Sequence, residues 1–417
     1  MIVFAQMRFP RPEFENYVEP TLNLEAQVGD GIYLRLAVLA ILLLFTGLAA
    51  YRWRSRRVLL LLSLLSLLLL GFVFRACPCP VGMYQNVLAG CFADYPLTLG
   101  VLLLFVLPLV VALYYGRLFC MGGCPLGALQ ELLHFKTLRV PLWLDRIGRQ
   151  LALVLLLVGG VMAASGGAFY LCHSDPYVVI FNFGVSWPHL TIAGLVILLG
   201  VFVCRPYCRY ICPYGVLLRI CALAAPRKIA ITSGDCISCR LCEQSCPNGA
   251  IVAPEPLKAA ESPEQGRRRL GWLLALTPYV IILCAWAGYS LAEPLSAVHK
   301  DVKLLRSLDA NRRTNATLAF ASSGRSLSKL RDNVAQLRRR LRIGLTVATA
   351  VAGLAMMLEL MALSRRRSPG RSYEVDAGLC VACGRCYDVC PVENMAVKFR
   401  KARPPAASSD GCVKSDH

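Results

Sequence analysis

Cys236-Ile-Ser-Cys239-Arg-Leu-Cys242-Glu-Gln-Ser-Cys246-Pro247 is the stretch on which the reading of this chain turns. It recurs as Cys380-Val-Ala-Cys383-Gly-Arg-Cys386-Tyr-Asp-Val-Cys390-Pro391. Both copies read C-x2-C-x2-C-x3-C-P, the spacing that wraps three thiolates round one [4Fe–4S] cube and sends the fourth to a second cube. The two-residue gaps turn successive sulfurs inward. One match would be compatible with zinc; two complete matches, each followed by a short apolar stretch, point to iron–sulfur clusters. Docked as in a two-cluster ferredoxin, Cys236, Cys239, Cys242 and Cys390 hold one cube, and Cys380, Cys383, Cys386 and Cys246 the other. The alternative left open is two independent loops, each using its own four cysteines. Either arrangement serves one-electron transfer.

What separates the two copies reads as membrane. Of 417 residues, 56% are hydrophobic and 17% charged, which is not a soluble composition. Apolar runs predict seven spans at about 32–51, 58–74, 97–115, 151–169, 187–204, 270–290 and 343–363, each near the ~20 residues that cross ~30 Å of hydrocarbon. The run from Val58 to Leu70 is the least ambiguous. The net charge of +20 does not indicate nucleic acid, because the basic residues cluster at span ends: Arg52/Arg54/Arg56/Arg57, Arg146/Arg149, Arg267/Arg268/Arg269 and Arg365/Arg366/Arg367. That is the positive-inside pattern. It predicts a multi-pass protein of the bacterial cytoplasmic (inner) membrane in contact with lipid. The N-terminus is periplasmic, and the ferredoxin-type motifs and C-terminus are cytoplasmic. No cleavable signal peptide is read in the first 31 residues.

The predicted order is an external leader (1–31) and a five-span membrane core (32–226), then a first ferredoxin-type segment with its linker (227–266). Spans six and seven with an external helical hairpin (267–364), a second ferredoxin-type segment (365–401) and a disordered tail (402–417) follow. The hairpin rests on 3-4-3 spacing at Leu295, Val298, Val302 and Leu305 and again at Leu330, Val334, Leu337 and Leu341. Its basic cluster, Arg338/Arg339/Arg340 with Arg342, runs against positive-inside; the opposite placement would strand one ferredoxin motif on the far face. The fold class is thus an α-helical polytopic membrane protein of about seven transmembrane helices, with a split cytoplasmic two-cluster ferredoxin-like α+β domain and an external helical hairpin.

Within the membrane core a second text repeats 88 residues apart. Arg117-Leu-Phe-Cys120-Met-Gly-Gly-Cys124-Pro125-Leu-Gly127 and Arg205-Pro-Tyr207-Cys208-Arg-Tyr-Ile-Cys212-Pro213-Tyr-Gly215 share R-x-[FY]-C-x3-C-P-x-G. An internal repeat of helical hairpins explains it. Proline after Cys124 and Cys212 suits a first helical position, which places each cysteine at a helix N-terminus where thiolate is favoured. Cys120, Cys124, Cys208 and Cys212 are therefore candidates for a further iron–sulfur, metal or redox site; paired structural turns are the plain alternative. On the external side, Cys77, Cys79, Cys91 and Cys172 read as two disulfides or as an external redox centre. His173 and Asp175 beside them offer a proton acceptor for quinol or a structural pair. The chain has no C-x-x-C-H, so no c-type haem is expected, and no nucleotide-binding glycine motif follows a strand.

The paired C-x3-C-P elements at span ends, followed by C-x2-C-x2-C-x3-C-P, resemble the NapH/NosR-type membrane polyferredoxins over about residues 58–250 and at the second motif. The resemblance implies an integral subunit that relays electrons between the quinone pool, or a cytoplasmic donor, and a periplasmic reductase system. It implies a quinol dehydrogenase-type part of a larger respiratory oxidoreductase complex, with quinone as a candidate ligand. NosR-like proteins carry a periplasmic flavin domain, for which this chain shows no room and no covalent flavin sequence. NapH-like proteins keep both ferredoxin motifs together; here a membrane hairpin parts them. CcoG-like proteins share the core but end in an external β-sandwich. A maturation or metal-reducing factor for a respiratory metalloenzyme is the alternative function.

Overall fold

The computed structural model describes residues 31–75, 79–93, 97–135, 138, 140–166, 175, 180–181, 187–227, 229, 231, 236–252, 263–312, 314–324, 326–364 and 373–392. Five helices are long and apolar enough to cross a membrane: Gly31–Trp53, Arg56–Val73, Leu144–Ala164, Glu264–Ser296 and Leu327–Ala362. The expected third and fifth spans are shorter helices, Leu99–Tyr115 of 17 residues and Trp187–Phe202 of 16. At 1.5 Å per residue they run about 24–26 Å, less than the ~30 Å of a hydrocarbon core. The first ends at Gly116, whose φ of +73° no helix can continue. Beyond both helices the chain turns inward and buries the arginine and cysteines of the repeat.

Two local expectations are revised. The fourth span helix begins at Leu142 rather than near 151, because Asp145 pairs with Arg149 at 3.0 Å and with Arg209, so the basic first turns are neutralised inside the helix. Residues 80–92, expected within an external loop, form a helix, Pro80–Phe92, with Pro80 in its first turn and the Cys79 sulfur accepting from Gly82 N–H at 3.4 Å.

Pro263–Ser296 (34 residues) and Leu327–Ser364 (38 residues) overshoot a bilayer and pack along each other. Short helices Lys300–Asp309 and Asn315–Ser322 join them. Val302, Leu330, Val334, Leu337 and Leu341 are buried together with Met162, as the 3-4-3 spacing requires. The lipid-type face is plain on the first long helix, where Leu274, Leu276, Ile282, Leu283 and Trp286 all point outward.

The two ferredoxin-type segments meet. Ile251–Val252 and Glu374–Val375 pair antiparallel, Ile251 opposite Val375 and Val252 opposite Glu374. The single-turn helices Leu241–Ser245 and Arg385–Val389 pack together, and Asp376 N–H donates to Ala250 O at 2.8 Å. This joined unit sits against the membrane core: Tyr387 donates to Ala50 O at 3.1 Å, and the Arg54 guanidinium stands 4.9 Å over the Tyr387 ring.

Candidate functional site

The cysteines gather in three sets, and their local geometry follows from proline and glycine. Cys236, Cys239, Cys242 and Cys390 line one small cavity, capped by Ile231, Ile237 and Tyr373. The left-handed Ser238 and Arg240 (φ +54° and +60°) turn the chain so that successive sulfurs face the same space. In the second segment Ala382 and Gly384 (φ +55° and +73°) do the same, and Cys380, Cys383 and Cys386 each stand close enough to Cys246 to feel its charge. The fourth cysteine of each motif thus lies with the other motif's first three.

The third set is buried in the membrane core. Cys120, Cys124, Cys208 and Cys212 belong to one hydrophobic cluster and are 8% exposed or less. Cys124 and Cys212 cap the helices Pro125–Leu132 and Pro213–Leu223, whose first residue is the motif proline. The motif glycines explain themselves by contact: a Cβ on Gly127 would lie 2.5 Å from Cys120 O, and one on Gly215 would lie 3.1 Å from Cys208 O. Each helix therefore seats on the carbonyl of its own first cysteine. Cys124 and Cys208 lie close enough across the two repeats to act on each other.

All three sets offer sulfur alone, the donor type that iron–sulfur clusters take. Among the described residues no three His, Cys, Asp or Glu converge tightly enough for a single metal ion. Burial pushes the Cys380 thiol up to about 12, so it stays protonated until coordination removes the proton.

Of the quartet read as external, Cys79 and Cys91 stand at opposite ends of Pro80–Phe92, about 18 Å apart along the helix, too far for a disulfide with each other. Cys77, Cys172 and His173 lie outside the described residues. Asp175 is buried, accepts from the Tyr207 hydroxyl at 2.8 Å on both oxygens, and lies 4.0 Å from the Cys79 sulfur.

Residues 97–143 and 185–231, which carry the two C-x3-C-P turns, match a family described as a 4Fe-4S binding domain; residues 229–252 and 373–394 match a second family of that description. Among curated relatives, YccM of Escherichia coli strain K12 is 29% identical over 165 residues, covering 35% of this chain and 46% of YccM. The methylamine utilization ferredoxin-type protein MauN of Paracoccus denitrificans is 29% identical over 192 residues, 44% of this chain and 65% of MauN. The regulatory protein NosR of Pseudomonas aeruginosa is 31% identical over 175 residues, 37% of this chain and 24% of NosR. The chain thus carries 4Fe–4S binding domains of two kinds and is similar to ferredoxin-type electron-transport proteins of the NapH/NosR kind. It spans less than two thirds of each relative named. No solved structure matches it.

Around these sulfurs, the motif arginines do different work. Arg117 donates to the Cys120 sulfur at 3.7 Å and to Gly378 O, in the second ferredoxin segment, at 3.1 Å. Arg205, 1% exposed, donates to Cys120 O of the other repeat and pairs with Glu131 at 3.2 Å. Gln130 donates to the Cys208 sulfur at 3.7 Å and accepts from Tyr207 N–H at 3.0 Å.

Sequence reasoning missed Glu131, Gln130 and Asp145. Glu131 pairs with Arg205, with Arg385 at 2.9 Å and with Arg56 at 3.7 Å. Burial pushes its carboxyl up, but the three guanidiniums outweigh that and hold it below the ordinary carboxylate range. The available signal was a Gln-Glu pair in an otherwise apolar stretch, five and six residues after the motif proline.

Proposed function

We propose that this chain is a membrane-bound iron–sulfur electron carrier that relays electrons between the quinone pool, or a cytoplasmic donor, and a partner redox enzyme. The observation that carries the reading is the gathering of twelve cysteines into three all-sulfur sets on one joined unit. Bound by Cys236/Cys239/Cys242/Cys390, by Cys380/Cys383/Cys386/Cys246 and by Cys120/Cys124/Cys208/Cys212, [4Fe–4S] clusters supply one-electron transfer.

The rest is the protein's own work. Apolar burial of the third set excludes water. Arg117, Gln130 and the helix N-termini at Cys124 and Cys212 favour negative charge on the sulfurs. Arg117 and the Glu131–Arg385 pair hold the ferredoxin segments against the membrane core, fixing the third set's distance from the other two. The basic outer hairpin, with Arg339 and Arg340 exposed, is the docking surface for the partner.

Rapid mixing of the purified protein with quinol and, separately, with reduced ferredoxin, followed by freeze-quench EPR, tests this reading. Iron–sulfur signals that change with at least one donor on a turnover timescale are expected. Signals inert to both would leave the clusters as structural staples.

A further inference from the structure

A cavity of about 360 Å³ lies where the ferredoxin unit meets the membrane helices. Five guanidiniums line it, Arg117, Arg149, Arg205, Arg209 and Arg219, against one carboxylate, Glu359, and it borders the third cysteine set at Cys208 and Cys212. Behind its wall Asp145 serves both Arg149 and Arg209, and Glu131 serves Arg205. Glu359 stands 3.7 Å from Arg219. Three carboxylates thus answer five cations, and Glu131 is shared with Arg56 and Arg385 as well.

Arg117 is the member with no carboxylate partner among the described residues. It is 7% exposed, its named partners are a carbonyl and a sulfur, and its Nε has no hydrogen-bond partner. Leaving a buried guanidinium donor unsatisfied is costly, so a ligand with anionic oxygens is the natural complement.

The rest of the lining says which anion. Leu153, Ile220, Leu223 and Ala355 make the cavity apolar toward the membrane helices Leu142–Ala164, Pro213–Leu223 and Leu327–Ser364. Arg149 lies near the start of Leu142–Ala164 and Arg219 within Pro213–Leu223, so charge and apolar lining share the same helices. An apolar side next to a guanidinium cluster fits an amphiphile with a phosphate head. We propose that this cavity binds the phosphodiester headgroup of an anionic phospholipid, wedged between the ferredoxin unit and the membrane helices.

The test uses the full-length, cluster-loaded protein in neutral detergent. It is titrated with dihexanoyl phosphatidylglycerol, with dihexanoyl phosphatidylcholine and with inorganic phosphate, and binding is read by native mass spectrometry and calorimetry. Phosphatidylglycerol is expected to bind once per chain, at least tenfold tighter than the other two. Arg219→Gln should weaken it about tenfold, the worth of one charge-assisted hydrogen bond. Glu359→Gln, which removes the one carboxylate on the wall at constant size, should strengthen it, a change that misfolding cannot mimic. Equal binding of the two lipids, or no change in either variant, overturns the proposal. Inorganic phosphate binding as tightly as phosphatidylglycerol makes this a free-phosphate site and overturns the lipid assignment.

Discussion

Arg385, between two cysteines of the second ferredoxin segment, lies 2.9 Å from the Glu131 carboxylate in the helix that follows the first C-x3-C-P turn. This pair ties together parts of the chain 254 residues apart, and Arg205 and Arg56 complete the cluster from two further elements.

Glu131→Gln should therefore loosen the whole junction. It leaves Arg205 buried without its carboxylate, a loss of about 3–5 kcal/mol for a broken buried pair. Arg385→Met, which leaves Glu131 paired with Arg205, should cost less, about 1–3 kcal/mol. Thermal unfolding with proteolysis of the ferredoxin segments measures both. The pH dependence has a definite sign. Because the folded carboxyl titrates lower than the unfolded one, its stabilisation is complete above the ordinary carboxylate range. It is lost as pH falls through the depressed folded value, and Glu131→Gln should lack that acid-side slope.

Gly127→Ala and Gly215→Ala should differ although the residues are repeat equivalents. The added methyl meets backbone at 2.5 Å in the first case and 3.1 Å in the second. Overpacking against a carbonyl that cannot rotate away costs about 1–3 kcal/mol. The expected outcome is a clear fall in melting temperature and in iron content for Gly127→Ala, and a small one for Gly215→Ala.

How much of this was legible in the sequence depends on where the information sits. Cysteine spacing is local, so Cys236 to Cys246 and Cys380 to Cys390 announced their turns, and Pro125 and Pro213 announced the helices they open. Long apolar runs marked the membrane helices. The hairpin's buried stripe at Val302, Leu330, Val334 and Leu337 followed from periodicity. The Glu131 cluster was not legible, because its partners lie 74 and 254 residues away and a single acid in an apolar helix carries no address. The helix Pro80–Phe92 was hidden by its cysteines and turn residues, which read as loop. The shortness of Leu99–Tyr115 came from the tertiary demand to bring Arg117 inward, which hydropathy does not encode.

Tyr207→Phe should destabilise without removing any sulfur. It deletes the hydroxyl that reaches both oxygens of Asp175, a carboxylate only 4% exposed. A buried acceptor losing such a donor costs about 1–3 kcal/mol. Asp175→Asn retains an acceptor for Tyr207 and should cost less. Melting temperatures of the two variants, with iron content unchanged, check the ranking.

Charge reversal on the outer hairpin separates docking from cluster assembly. Arg339→Glu with Arg340→Glu alters exposed residues while the buried Val334, Leu337 and Leu341 stay in place. Co-purification of the partner should fall while iron per chain holds. Unchanged co-purification would remove the hairpin from the interface.

The central claim is that two segments separated by a membrane hairpin share their cluster ligands. EPR of the reduced single variants Cys239→Ala, Cys246→Ala, Cys386→Ala and Cys390→Ala measures it directly. Shared ligands predict that Cys390→Ala loses the same signal as Cys239→Ala, and Cys246→Ala the same signal as Cys386→Ala. The account is contradicted if Cys390→Ala instead matches Cys386→Ala, each motif then keeping its own four cysteines.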